Sequence, residues 1–179
     1  MSESTELTTR GGVRLRVRPA SPKDEPELAD FFSHVAPDDL RFRFLTGLAK
    51  VRHEQLVAML SVDHRQAETF LAFEAATETL IAVAMLAGDR ELSAAEVAIS
   101  VRADYKHKGV AWTLLDHAAR FAEALGVGSL ISIESRANRE AIELEREMGF
   151  SVSDYPGDPT LVMVRRVLNA NAAPDDQAT

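Results

Sequence analysis

Apolar and basic side chains alternate at the start of the patterned region. Val13, Leu15 and Val17 face one way and Arg14, Arg16 and Arg18 the other, a period of two that predicts a strand over 13–18. Ser21-Pro22-Lys23-Asp24 then reads as a helix start, with a hydroxyl cap, proline in the first turn and an acid behind it. Leu28, Phe31, Phe32 and Val35 give that helix its apolar face, and Leu56, Met59 and Leu60 do the same for a second helix over 53–60. Strands are predicted over 69–73, 80–87 and 94–101, the first two joined by the polar turn Thr77-Glu78-Thr79. A long amphipathic helix follows, with Ala111, Leu114, Leu115, Ala118, Ala122 and Leu125 inward and Gly126 closing it. A strand over 130–133, a helix over 138–148 ended by Gly149-Phe150, and a strand over 161–167 complete the pattern. The order β-α-α-β-β-β-α-β-α-β is that of a mixed α/β layer fold.

Residues 1–12 and 169–179 hold too few large apolar side chains to offset the entropy of ordering them. They read as flexible tails around one unit, 13–168. The chain of 179 residues suits a single domain. Its net charge is −8, of which the two tails supply −3 through Glu3, Glu6 and Arg10 and through Asp175 and Asp176. An acidic body argues against a broad nucleic-acid surface and leaves room for a local basic pocket. With no cysteine there are no disulfides, thiolate metal sites or cysteine nucleophile. His34, His53, His64, His107 and His117 form no metal-ligating spacing, so no metal is expected. No run approaches about 18 apolar residues and the N-terminus carries no basic-then-apolar leader; a soluble cytoplasmic chain without membrane contact is the expectation.

The segment richest in chemistry follows the strand over 94–101. It reads Arg102-Ala-Asp-Tyr-Lys106-His107-Lys108-Gly109-Val110-Ala111-Trp112 and passes straight into the long helix. Free N–H groups from about Lys108 to Trp112 face one space and favour an anion; Gly109 lets the backbone approach it, and three basic side chains add positive potential. It is neither a triphosphate loop nor a dinucleotide fingerprint. Pyrophosphate is the best-suited guest.

Lys106-His107-Lys108-Gly109-Val110-Ala111 resembles the acyl-CoA-binding signature of the GNAT acyltransferase superfamily, [Gln/Arg]-x-x-Gly-x-[Gly/Ala]. A second block, Asn138 to Phe150, is similar to the family's Asn-x-x-Ala-x-x-Leu-Tyr-x-x-x-Gly-Phe, and the element order agrees over 13–168. The resemblance implies a GNAT-like fold: a mostly antiparallel, twisted central sheet whose middle strands splay, flanked by helices. It implies acetyl-CoA in that gap, with Ile99 and Val101 pairing with the pantetheine arm, residues 106–112 holding the pyrophosphate and Asn138 beside the arm. A backbone N–H between Val97 and Ile99 would serve as the oxyanion donor. The implied reaction is acetyl transfer to a primary amine, from a protein lysine or a small cationic molecule; a homodimer is common in the fold.

Two positions depart from the family pattern. Lys106 stands for Gln or Arg, keeping charge but not planar hydrogen bonding. Glu145 occupies the position of the tyrosine that many members use to protonate the leaving thiolate, and it reads as a solvated helix residue. A catalytically degenerate CoA-binding sensor is the alternative these departures leave open. For the base, Glu96 is the candidate: it shares a strand face with Ala98 and Ser100, where partial burial would favour proton uptake. A glutamate in this strand without the tyrosine resembles bacterial protein lysine acetyltransferases, as does the basic-aromatic stretch around Arg41 and Arg43.

Overall fold

A computed structural model describes residues 3–45 and 50–169. Eight strands form one sheet in the order β1-β2-β3-β4-β5-β6-β8-β7: β1 Thr5–Thr8, β2 Arg14–Pro19, β3 Ala67–Glu74, β4 Leu80–Gly88, β5 Ala94–Val101, β6 Ser129–Ser135, β7 Ser151–Asp154 and β8 Leu161–Val167. Every neighbouring pair is antiparallel except β5 and β6. The helices are α1 Glu25–Ser33, α2 Pro37–Phe44, α3 His53–Leu60, α4 Val110–Ala124 and α5 Arg139–Glu147. Strand alternation divides the core between two faces. Leu71, Phe73 and Val83 pack on α1 to α3 on one side, and Ala95, Val97, Leu130 and Val164 pack against α4 and α5 on the other. The mixed, mostly antiparallel sheet with flanking helices is as expected.

One local reading changes, and two elements appear that the pattern did not predict. The tail reading of 1–12 does not hold for Thr5–Thr8, which pairs residue for residue with Arg14–Val17 as β1; the folded unit therefore starts ahead of residue 13. The stretch from Pro37 is a helix: Pro37 opens it, Asp38 and Asp39 sit in its first turn, and Arg41 and Arg43 in its last, each sign opposing the local end of the helix dipole. Its apolar residues Leu40, Phe42 and Phe44 alternate, which hides a helix from a period-based reading. Ser151–Asp154 is an edge strand without an apolar face of its own, held by β8. The readings of 1–2 and of 170–179 lie outside the described residues.

The start of α1 is fixed by an ion pair. Arg18, at the end of β2, donates to both oxygens of Asp24 at 2.9 and 2.7 Å, and Asp24 also accepts the Ser21 N–H at 2.8 Å. That carboxyl is held below its ordinary value, first by the Arg18 hydrogen bond and then, against some desolvation, by Ser21. His117 is half-buried edge-on against Phe70 at 4.9 Å, and burial lowers its pKa.

Candidate active site

β5 and β6 pair only at Ala94–Glu96 with Ser129–Ile131. Beyond that point β6 continues along β8 while β5 continues along β4, so the backbone of Val97–Val101 has no strand neighbour on its β6 side. The wedge between them is a cleft of about 300 Å³. Ile99 and Val101 line it, as do Gly109, Val110, Ala111 and Trp112 at the head of α4 and Asn138 at the head of α5. The N–H groups of the first helical turn have no partner within the helix, so the open strand edge and the α4 terminus present main-chain donors to one space. Gly109 enters the helix at φ 80°. A side chain there would be strained, and its Cβ would meet the Arg10 nitrogen at 3.2 Å. An extended acyl thioester bearing a pyrophosphate fits these features: a strand edge for its amide-bearing arm and a helix terminus for its phosphates.

The basic residues of the loop sit differently from the expectation. Lys106 and His107 line the cleft, but acids already engage them: Lys106 Nζ lies 2.8 Å from Asp39 of α2 and 3.6 Å from Glu140 of α5, and His107 Nδ1 lies 3.0 Å from Glu140. Burial opposes the charge on Lys106, but the Asp39 hydrogen bond and the charges of Asp39 and Glu140 outweigh it and raise its pKa. Lys108 lies outside the lining, its ammonium 4.9 Å over the Tyr105 ring. Its carbonyl faces the N-terminal hairpin, where it accepts the Thr9 hydroxyl at 2.7 Å. Arg10 stacks on Trp112 at 4.1 Å. The segment read as a tail therefore braces the loop ahead of α4 from behind.

Glu96 lines the cleft but is exposed, which corrects the expectation of partial burial. Arg43 reaches into the same space with Nη2 against Met85 sulfur at 3.1 Å. Burial lowers its pKa, and the charges of Glu96 and Glu134 oppose that. Arg41 is exposed and pairs with Asp38.

The largest correction concerns Glu145. It is not a solvated helix residue: 5% exposed, it lines the cleft from α5 with Oε2 unpartnered among the described residues. Ser132 and Glu134 of β6 line the same cleft. Glu134 in turn accepts the Ser132 hydroxyl at 2.7 Å and the Asn138 side-chain N–H at 3.1 Å. Desolvation, then the charge of Glu134, push Glu145 up to about 8; desolvation raises Glu134 as well, against the hydrogen bonds of Ser132 and Asn138. Nothing in the sequence reading pointed to Glu134 or Ser132. For Glu145 a signal existed, since Ile142 and Glu145 stand three apart on one helix face and both are buried.

The chain matches the model of the acetyltransferase (GNAT) family over residues 27–150 and belongs to that family. It is an N-acetyltransferase. An acetyltransferase of Pseudomonas aeruginosa is 26% identical over 159 residues, covering 88% of this chain and 86% of that protein. Among solved structures, the GNAT domain of S. lividans PAT superposes with a TM-score of 0.85 at 21% identity, over 92% of this chain and 97% of that one. The spermidine N-acetyltransferase of Vibrio cholerae, solved with CoA and spermine, gives 0.70 at 16% identity over 86% and 95%. The last two show a shared fold.

Proposed function

We propose that this enzyme transfers acetyl from acetyl-CoA directly to a primary amine of a cationic acceptor, a protein lysine or a small amine, with Glu96 as general base. The observation that carries this reading is the wedge: an unpaired strand edge running past Glu96 toward the first turn of α4. Bound acetyl-CoA supplies an activated thioester. Val97–Val101 hold its arm, the N–H groups of Gly109 to Trp112 hold its phosphates, and Asn138 flanks the arm. Glu96, exposed in the cleft and in no salt bridge among the described residues, offers an incoming ammonium a carboxylate. A lysine-type amine of pKa about 10.4 is almost wholly protonated near neutrality, so an exposed carboxylate that accepts its proton, directly or through water, raises the reactive fraction.

Free-thiol release from acetyl-CoA over a panel of lysine peptides and polyamines tests the reading. With the best acceptor, Glu96→Gln should keep acetyl-CoA affinity by calorimetry and lower kcat by about 10²-fold. Unchanged turnover in that variant removes Glu96 from the chemistry. Acetyl-CoA binding with no release for any amine would instead leave a sensor.

A further inference from the structure

Arg16, Arg18, Arg41, Arg102, Arg120 and Arg136 each pair with a carboxylate. Arg43 does not, although it is half-buried in a cleft lined with acids. Its one hydrogen-bond partner among the described residues is the Met85 sulfur at 3.1 Å, a weak acceptor, which leaves most of the guanidinium's N–H donors unused. The acids at hand are engaged elsewhere or stand apart. Asp39, one turn back on α2, goes to Lys106 at 2.8 Å, Glu134 accepts from Ser132 and Asn138, and Glu96 pairs with no described residue. A cation drawn out of bulk water with one weak acceptor is costly unless a further group meets it. Met85 pairs with Ala98 across β4 and β5, and Glu96 lies two residues along β5 on the same face, about 7 Å away by strand geometry. Met85 packs with the core that α1 to α3 cover. The guanidinium and the Glu96 carboxylate thus border one cleft side by side, opposite in sign and not joined to each other.

We propose that Arg43 binds a carboxylate on the acceptor, so that the substrates are small amino acids and not polyamines or lysines within a protein. The proposal rests on the reading above that the acceptor amine meets Glu96, and it narrows the choice of acceptor. A planar guanidinium matches a carboxylate with two parallel hydrogen bonds, and an open fork in a partly desolvated site is suited to that guest. With the carboxylate on Arg43 and the amine at Glu96, a small zwitterion is held at both ends and its nitrogen is oriented for attack. A protein lysine brings an ammonium but no carboxylate of its own. A polyamine brings a second cation toward the guanidinium and is repelled. A carboxylate on the acyl group of the donor is the other source of the same chemistry. The position of Arg43 on the Glu96 face of β5, where the amine arrives, assigns it to the acceptor.

The test uses the full chain and matched acceptors: α-, β- and γ-amino acids, each beside its carboxamide, with an amidated lysine peptide and spermidine as amines lacking a carboxylate. Thiol release from acetyl-CoA gives kcat and KM, and calorimetry with CoA bound gives acceptor Kd without any chemistry. Wild type should favour the best amino acid over its carboxamide by about tenfold or more in both readouts. Arg43→Gln should bring that ratio to about one, chiefly through acceptor KM, with acetyl-CoA affinity kept. Arg43→Lys, which has the charge without the fork, should retain part of the ratio and serves if the glutamine variant does not fold. A ratio that Arg43→Gln leaves intact overturns the proposal, as does a lysine peptide or spermidine used better than every amino acid. Succinyl-CoA binding more tightly than acetyl-CoA, with that advantage lost in Arg43→Gln, would move the carboxylate to the donor and overturn it too. Amino-acid binding that depends on Arg43 without thiol release would support the carboxylate site and remove the transfer reading instead.

Discussion

A methyl group at Gly11 should damage donor binding without touching the cleft. An alanine Cβ built there falls 2.5 Å from the Lys108 carbonyl oxygen and 3.0 Å from its carbonyl carbon and Cα, all backbone atoms. Ordinary contact begins at 3.4 Å, so hairpin and loop must part by about 0.9 Å. The hairpin side is held by the Gly12 N–H to Thr9 carbonyl bond at 3.0 Å and the Thr9 N–H to Val13 carbonyl bond at 2.9 Å, the loop side by Thr9 Oγ1 to Lys108. The loop carries the donors of Gly109 and Val110, so whatever part of the displacement it takes up reaches them. A misplacement of about 1 Å in a positioning element can cost about 10²-fold, and even a tenfold loss of donor affinity is about 1.4 kcal/mol. Gly11→Ala should therefore raise the Kd and KM for acetyl-CoA by about tenfold or more, by calorimetry and thiol release, with the acceptor KM little changed. Gly12→Ala is the control. Gly12 sits at φ 82° with nothing near its Cβ, so alanine there costs about 1 kcal/mol of stability through backbone strain and leaves the loop alone. Equal donor KM values in the two variants would refute the bracing argument.

Asn138→Ala removes the cap of α5, whose Oδ1 accepts the Ala141 N–H at 3.5 Å, and one of the two donors to Glu134. It should cost about 1 kcal/mol, lowering Tm by about 2–4 °C for a chain of this size in a thermal melt. Asp24→Asn breaks the two-pronged contact with Arg18 and should cost about 1.5–3 kcal/mol at neutral pH in urea. Because the folded-state pKa of Asp24 lies below 3.8, that advantage is present above 3.8 and fades as pH falls through the lower value, so the two denaturation curves should converge in acid.

Local periodicity carried much of the fold. The strands over 94–101 and 161–167 and the helix over 53–60 have the predicted bounds, because each pairs a clear apolar face with distinct flanking residues. The strand-loop-glycine-helix layout around Gly109 was equally legible, since it fixes where the first N–H groups of α4 point. Side-chain roles were harder to read. Lys106 counts as free positive charge in the sequence, but α2 and α5 bring Asp39 and Glu140 to it. Glu96 looks half-buried beside Ala98, but its side chain borders the open cleft. β1 offers one large apolar residue, Leu7, and forms because β2 supplies its hydrogen bonds. Each of these outcomes depends on contacts between elements remote in sequence.

The parting of β5 and β6 accounts for both halves of the site. Had the parallel ladder continued past Glu96, the amides of Val97–Val101 would be spent on β6, and no arm could add to that edge. Alternation sets Ser132 and Glu134 on the face of β6 that carries Leu130, where Ile142 of α5 closes the core, and Glu145, one turn further on, lines the cleft with Glu134. On a continuous sheet, apolar residues would be expected at 132 and 134, as at Leu130 on the same strand face. Where the strands diverge, the register borders a cleft, and carboxyls can sit there with hydrogen bonds on one side and an opening on the other. One break in pairing thus opens both the strand edge proposed to hold the thioester and the cleft that Glu134 and Glu145 line.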